Sequence, residues 1–368
     1  MFKQYQLKNY RIRLVTYVII LSLIGIAVIG SAKQSVQSKQ IMGLVIGIVA
    51  MLVVSLIDYS FILKFSWLLY FLNIALLLSI FAVGQETNGS TRWINIAGIR
   101  FQPSELSKIL IIIFFAYFFM KYQERINTIG VLAATIVLIG IPLVLIKKQP
   151  ALSTTIVTAF IFIALLFIAG LSYKIIIGVL GVSIPSALIF ISLILQDNQK
   201  LIDPYQKQRI MAWLEPSKYT DSSYQQQNSI MAFGSGQLWG KGLNNTNIDS
   251  VKNGNFISES QTDFIFAVAG EELGFVGALV IILLLLLITI ECVLIARKAK
   301  DLSGKLICCG VAAMLSFQGF VNICVVTGLM PNTGLPLPFV SYGLTSLVSC
   351  FIGIGLVLNV GLQPKKYG

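Results

Sequence analysis

Ten stretches long and apolar enough to cross a bilayer divide this chain, and they leave few folds open to it. They lie near residues 14–30, 40–57, 62–83, 104–120, 129–146, 152–171 and 174–195, then near 263–296, 303–330 and 338–361. A hydrocarbon core about 30 Å thick needs a helix of about 20 residues. Lipid cannot pair free backbone N–H and C=O groups, so such stretches form α-helices that satisfy themselves. The predicted fold is an all-α polytopic membrane protein of about ten transmembrane helices. It forms one domain over 1–368, with a long loop at 196–262 before the eighth span. The boundary at Lys147-Lys148-Gln149-Pro150 has an alternative, a single kinked helix with a re-entrant turn.

Hydrophobic residues make up 56% of the chain and charged residues 11%, where a soluble domain carries about 25% charge. A net charge of +12 would suggest nucleic acid for a soluble protein. Here the cations sit in short loops and tails between spans, so no nucleic-acid partner is expected and anionic membrane lipid is the natural counterpart. Ten spans put both termini on one side. With those termini inside, 14 of the 27 lysines and arginines fall on the inner side, seven in the short outer segments and six in 196–262. That bias predicts cytoplasmic termini in the inner membrane. Lys3, Lys8, Arg11 and Arg13 before the first apolar run resemble a signal peptide, but the run is long and further spans follow, so an uncleaved helix is expected. Cys292, Cys308, Cys309, Cys324 and Cys350 all lie in apolar runs and read as buried free thiols. The chain has no histidine, so proton transfer near neutral pH falls to a carboxylate, lysine, tyrosine or water.

Three segments carry polar residues where a membrane chain should avoid them. At the eighth span, Asp263, Glu271 and Glu272 stand in SESQTDFIFAVAGEELG; on one helix Asp263 and Glu271 share a face. Intramembrane acids usually face a cavity, yet Ser260-x-x-Asp263 also fits a capping box that only satisfies backbone N–H groups. For Glu272 a structural ion pair is expected. The second segment, about 84–103, holds Arg92 and Arg100 and leads to Glu105 and Lys108. That last pair, at i and i+3, neutralises itself or presents Lys108 to an anion beside forked arginine donors. The third, PNTGLPLPFVSYG at 331–343, has too many prolines and glycines for a helix and is expected to be a re-entrant loop lining a wet cavity. GQLWGKG at 236–242 is no phosphate loop, since Ser235 stands where a glycine is required and Gly242 where Ser or Thr is required; it reads as Gly-rich turns.

Together these segments resemble the SEDS family, the RodA, FtsW and SpoVE proteins of bacterial elongation, division and sporulation. The resemblance rests on GSTRWINIAGIRFQPSELSK (89–108), DPYQKQRI (203–210), QQNSIMAFGSGQLWGKGL (226–243), TDFIFAVAGEELGFVG (262–277) and NTGLPLPFVSYG (332–343), in family order. The compact start is more similar to RodA than to FtsW. The family's members are glycosyltransferases that polymerise lipid II at the outer face of the membrane, release undecaprenyl pyrophosphate and work with a class B penicillin-binding transpeptidase. The resemblance places the family's essential aspartate on Asp263, its arginine and lysine on Arg92 and Lys108, and its glutamates on Glu105 and Glu272. Asp263 is then the expected general base toward the acceptor hydroxyl, and Arg92, Lys108 and Arg100 the cations for the departing pyrophosphate. A divalent cation, magnesium or manganese, would suit the same charge, although the chain has no dedicated metal motif. Two positions depart from the family pattern: Ala151 replaces an acid in QPALST, and Leu344 follows SYG in place of glycine. The alternative readings are a lipid II flippase, since broken helices also mark transport paths, and a non-catalytic scaffold of a transpeptidase.

Overall fold

The computed structural model describes residues 9–363 apart from 88–89, 97–98, 180, 182–184, 186–191, 193–203, 245–249, 251–253, 255 and 258–259. Its helices are α1 (Ile12–Ala32), α2 (Gln34–Leu56), the short α3 (Tyr59–Lys64), α4 (Ser66–Val83), α5 (Pro103–Lys121), α6 (Ile129–Lys147) and α7 (Leu152–Ile168), then α8 (Pro204–Leu214), α9 (Thr220–Ser235), α10 (Ile265–Arg297), α11 (Leu302–Val326) and α12 (Leu344–Leu362). Among the described residues eight are long and apolar enough to span a membrane: α1, α2, α4, α5, α6, α10, α11 and α12. α7 is apolar but, at 17 residues, slightly shorter. Of the expected span 174–195, the part through 179 is helical and most of the rest lies outside the described residues. The bundle thus agrees with about ten spans. α6 and α7 are separate helices, so the kinked single helix is not what forms at 147–150.

Burial sorts the helices into a centre and a rim. α5 is 83% buried and α11 and α12 are each 67% buried, whereas α6 is only 22% buried. The rim helices present Leu, Ile, Val and Phe outward, as the lipid-facing side of a bundle must. At the centre, Phe114 of α5 stacks on Tyr70 of α4 at 4.4 Å and Phe115 meets Phe162 of α7 edge-on at 5.0 Å. Arg11, just before α1, lies against Gly361 near the end of α12. The start of the first helix and the end of the last therefore share one end of the bundle.

The other end carries an addition to the all-α expectation. Between α4 and α5 the chain forms an antiparallel sheet, β1 (Gln85–Thr87), β2 (Ser90–Ile96) and β3 (Ile99–Phe101), in that order. Glu86 pairs with Thr91 and Asn95 with Arg100. The strands are too short for their alternation to stand out from a polar loop.

Two irregular stretches interrupt the bundle. α10 breaks at Gly274, whose φ of 69° suits glycine. Residues 236–242 dock on that break, with Lys241 and Gly242 N–H donating to the carbonyls of Glu271 and Glu272, and Phe275 and Val276 N–H donating to those of Gln237 and Leu238. A Cβ on Gly236 would stand 1.9 Å from Gly270 O, and one on Gly240 2.2 Å from Glu272 O. The glycines are there because backbone meets backbone.

The second stretch, 331–343, packs Phe339 and Val340 against Gly25 of α1, where a Cβ would come 2.7 Å from Val340 Cα. Gly25 is seven residues from the end of α1, about 10 Å in from it. The segment is therefore re-entrant, and side chains satisfy its backbone. The Gln40 amide donates to Ser341 O and accepts from Gly343 N–H, while Ser341 Oγ accepts from Leu337 N–H and donates to Thr262 O.

Candidate active site

Four pieces of chain meet around the re-entrant segment: the start of α5, the α6–α7 turn, α8, and the turn 260–264 that leads into α10. Lys108 is 1% exposed, with Nζ 2.9 Å from Glu105 Oε1 and 2.8 Å from Gln318 Oε1 on α11. Gln318 Nε2 in turn donates to Pro336 O at 2.9 Å. One helical turn along α11, Asn322 Nδ2 donates to Leu335 O at 2.7 Å and to Asp263 O at 2.8 Å. Two amides at i and i+4 thus hold both the re-entrant segment and the backbone of Asp263, and the first of them also grips Lys108.

The Asp263 side chain reaches the same segment. Gly334 has φ +69°, and a Cβ there would lie 3.2 Å from Asp263 Oδ2 and 3.5 Å from Arg209 Nη1. Arg209, on α8, also donates from Nη1 to Asn332 O at 3.2 Å. Carboxylate and guanidinium flank one glycine. Asp263 is partly exposed and belongs to a turn: α10 begins at Ile265, its N-cap position is Phe264, and no side chain caps it. This corrects two expectations. Asp263 is not the acid of a helix capping box, and it shares no helix face with Glu271, because the chain turns at 260–264 before the helix starts.

The remaining residues occupy distinct places. Arg92, on β2, donates Nε to Gln149 O at 3.2 Å and Nη2 to Pro150 O, clamping the α6–α7 turn. That turn joins the re-entrant segment through Ser153 Oγ, which donates to Thr333 O. Ala151 is 1% exposed within it, so an acid there would be a buried one. Arg100, on β3, has an exposed side chain whose charge acts on the Tyr342 hydroxyl, and its carbonyl accepts from Thr345 Oγ1 on α12. Glu272 Oε1 accepts from Ser31 Oγ of α1 at 2.6 Å, and Ser31 Oγ accepts from Asn244 N–H at 2.9 Å. Beside it, Glu271 Oε1 lies 2.8 Å from Lys241 Nζ. Both glutamates are buried, and these bonds tie α10 to α1 and to the 236–244 loop.

Sequence alone does not single out Arg209, Gln318 and Asn322. The two amides had a readable signal, polar residues at i and i+4 inside an apolar run. Arg209 stands in a long polar segment where a single arginine carries none. Among the described residues no three Asp, Glu, Cys or His side chains gather as metal ligands.

The fold and site define a polytopic α-helical membrane protein in which a buried lysine, acting through Gln318, and a partly exposed carboxylate and guanidinium border one re-entrant segment. The family model described as cell cycle protein, FtsW/RodA/SpoVE, matches residues 8–366, and the chain belongs to that family. Among curated proteins it is similar to the probable peptidoglycan glycosyltransferase FtsW of Geobacter metallireducens, 32% identical over 98% of this chain and 96% of that one. The protein so named in Trichlorobacter lovleyi is 33% identical over 99% and 96%. Among solved structures it resembles a chain from work on polymerization and crosslinking by a peptidoglycan synthase complex, with a TM-score of 0.79, 27% identity and coverage of 97% and 99%. It also resembles the rod shape determining protein RodA of Thermus thermophilus, with a TM-score of 0.69, 26% identity and 96% of each chain covered.

Proposed function

We propose that this chain is a peptidoglycan glycosyltransferase that polymerises lipid II into glycan strands and releases undecaprenyl pyrophosphate. The observation that carries the reading is the convergence of Asp263 and Arg209 on Gly334, with Lys108 tied to Pro336 of the same segment through Gln318. The 4-hydroxyl of the acceptor lipid II attacks the anomeric carbon of the lipid-linked chain end. Asp263 removes the hydroxyl proton as the new C–O bond forms. The bond to the pyrophosphate breaks with both electrons leaving on oxygen, and a single displacement inverts the anomeric carbon. Lys108 and Arg209 meet the charge that collects there. An ammonium has three donors; among the described residues Lys108 commits two, to Glu105 and Gln318, and the third serves the leaving group. Arg92 and Arg100 act at the mouth, from the sheet. Glu105 holds the Lys108 ammonium in place, and Glu272 anchors α10.

The sheet and re-entrant segment then face the outer side of the cytoplasmic membrane, with both termini in the cytoplasm. The likeness to a chain from a complex that couples polymerization with crosslinking supports a crosslinking partner, which we take to be a class B penicillin-binding transpeptidase. The test is polymerisation of lipid II by the purified protein with its transpeptidase. Labelled glycan from the wild type and none from Asp263→Asn supports the reading. A wild type that moves lipid II across liposomes without making glycan is a flippase, and one that only raises the partner's crosslinking is a scaffold; either result overturns it.

A further inference from the structure

At the end of the bundle away from the sheet, a cavity of about 190 Å³ is lined by Asn9, Arg11, Ile295, Lys298 and Gly361. It lies where the start of α1, the end of α10 and the end of α12 meet. Arg11 and Lys298 bring two positive charges to it, and neither forms an ion pair among the described residues. Like charges facing one small cavity repel, and an anion between them reverses the sign of that interaction. The nearest acid on the same stripe of α10, Glu291, is one turn below Ile295 and does not line the cavity.

The surroundings say what kind of anion. Below Lys298, at successive i−4 steps along α10, stand Leu294 and Ile290, 39% and 42% exposed. An apolar stripe on a spanning helix that ends at a lysine beside a dicationic cavity matches a molecule with acyl chains below and a phosphate above. We propose that this cavity is a binding site for the phosphate headgroup of an anionic glycerophospholipid, held between Arg11 and Lys298 with an acyl chain along Leu294 and Ile290. The site is separate from the proposed glycosyl-transfer site and does not depend on it.

The experiment uses the full chain in nanodiscs of phosphatidylcholine with or without phosphatidylglycerol, and reads the lipid retained by native mass spectrometry. Wild type retains phosphatidylglycerol over phosphatidylcholine. The double variant Arg11→Gln with Lys298→Gln loses this preference roughly tenfold or more, since each interfacial cation contributes on the order of 1 kcal/mol. Gly361→Leu keeps both charges but fills the cavity, because a Cβ at 361 stands only 3.5 Å from Ile295 and 3.7 Å from the Arg11 stem. It loses the preference as well, and serves where the double variant fails to fold. Arg297→Gln, an exposed neighbour outside the cavity, keeps it. No preference in wild type, or full retention by Gly361→Leu, overturns the site. Inorganic phosphate raising the thermal midpoint as much as phosphatidylglycerol does would show a free anion as the ligand and overturn the lipid.

Discussion

Lys108 Nζ and Gln318 Oε1 meet at 2.8 Å inside the bundle, and this bond registers α5 against α11 and, through Gln318 Nε2, against Pro336. An ammonium buried this deeply has its charge answered by Glu105 and its position fixed by an amide. The distinction matters because charge and position fail differently when mutated.

Lys108→Ala leaves Glu105 as a buried carboxylate without its cation, a loss of about 3–5 kcal/mol, and it removes a donor to the leaving group. Both thermal midpoint and glycan output fall. Pairing Lys108→Met with Glu105→Gln restores the midpoint and leaves polymerisation low, which separates chemistry from folding. Lys108→Arg rescues only in part, because a planar fork cannot replace a compact ammonium. Normal output from the stable double variant removes Lys108 from the mechanism.

Asp263→Asn keeps size and the backbone bond from Asn322, and it does not disturb a helix cap, since Asp263 is not one. Polymerisation drops by roughly 10² or more, while copurification with the transpeptidase is unchanged. A well-folded variant that polymerises at the wild-type rate would falsify the catalytic assignment.

Gly334→Ala is a test of geometry that touches no charge. Alanine at φ +69° costs about 1–2 kcal/mol, and its Cβ crowds Asp263 Oδ2 and comes into van der Waals contact with Arg209 Nη1. Turnover falls more than lipid II binding does. An equal change in both would place the glycine outside the reacting geometry.

Orientation is checked by cysteine labelling, because the native cysteines are at most partly accessible. Asn244→Cys, near the sheet end, labels from outside the cell. Arg297→Cys, at the far end of α10, labels only after permeabilisation. The reverse pattern puts the proposed site on the wrong face.

At that far end Asp58 carries a pH dependence. Burial pushes its carboxyl up, but the Ser60 N–H, the Gln363 amide and the Lys300 charge outweigh it and hold the group below its ordinary value of 3.8. A depressed carboxylate contributes stability above that value and loses it as pH falls through the folded value. Asp58→Asn therefore lowers the thermal midpoint near neutral pH, and the gap to wild type closes in strong acid. A gap independent of pH would mean the cluster acts by packing alone.

Much of this arrangement is legible in the chain. Span-length apolar runs fix the helices, the i,i+3 spacing fixes the Glu105–Lys108 pair, and the prolines and glycines of 331–343 forbid a helix there. Other features depend on contacts far apart in sequence. The turn that takes Asp263 out of α10 is held by Asn322 and Ser341, which lie 59 and about 80 residues away. Arg92 carries a charge suited to pyrophosphate, but only the fold shows that it first clamps Gln149 and Pro150. The break at Gly274 looks, in sequence, like one more glycine in an apolar helix.

That break has a mechanical meaning. Between the 236–242 loop and the first turns of α10, peptide groups touch directly at Gly236, Gly240 and Gly274, beside the Lys241–Glu271 ion pair. Such a joint has almost no give, so the loop and the half-helix that follows Asp263 translate as one piece. A protein leaning on the loop would bear on the turn that carries the carboxylate, by a lever only a few residues long.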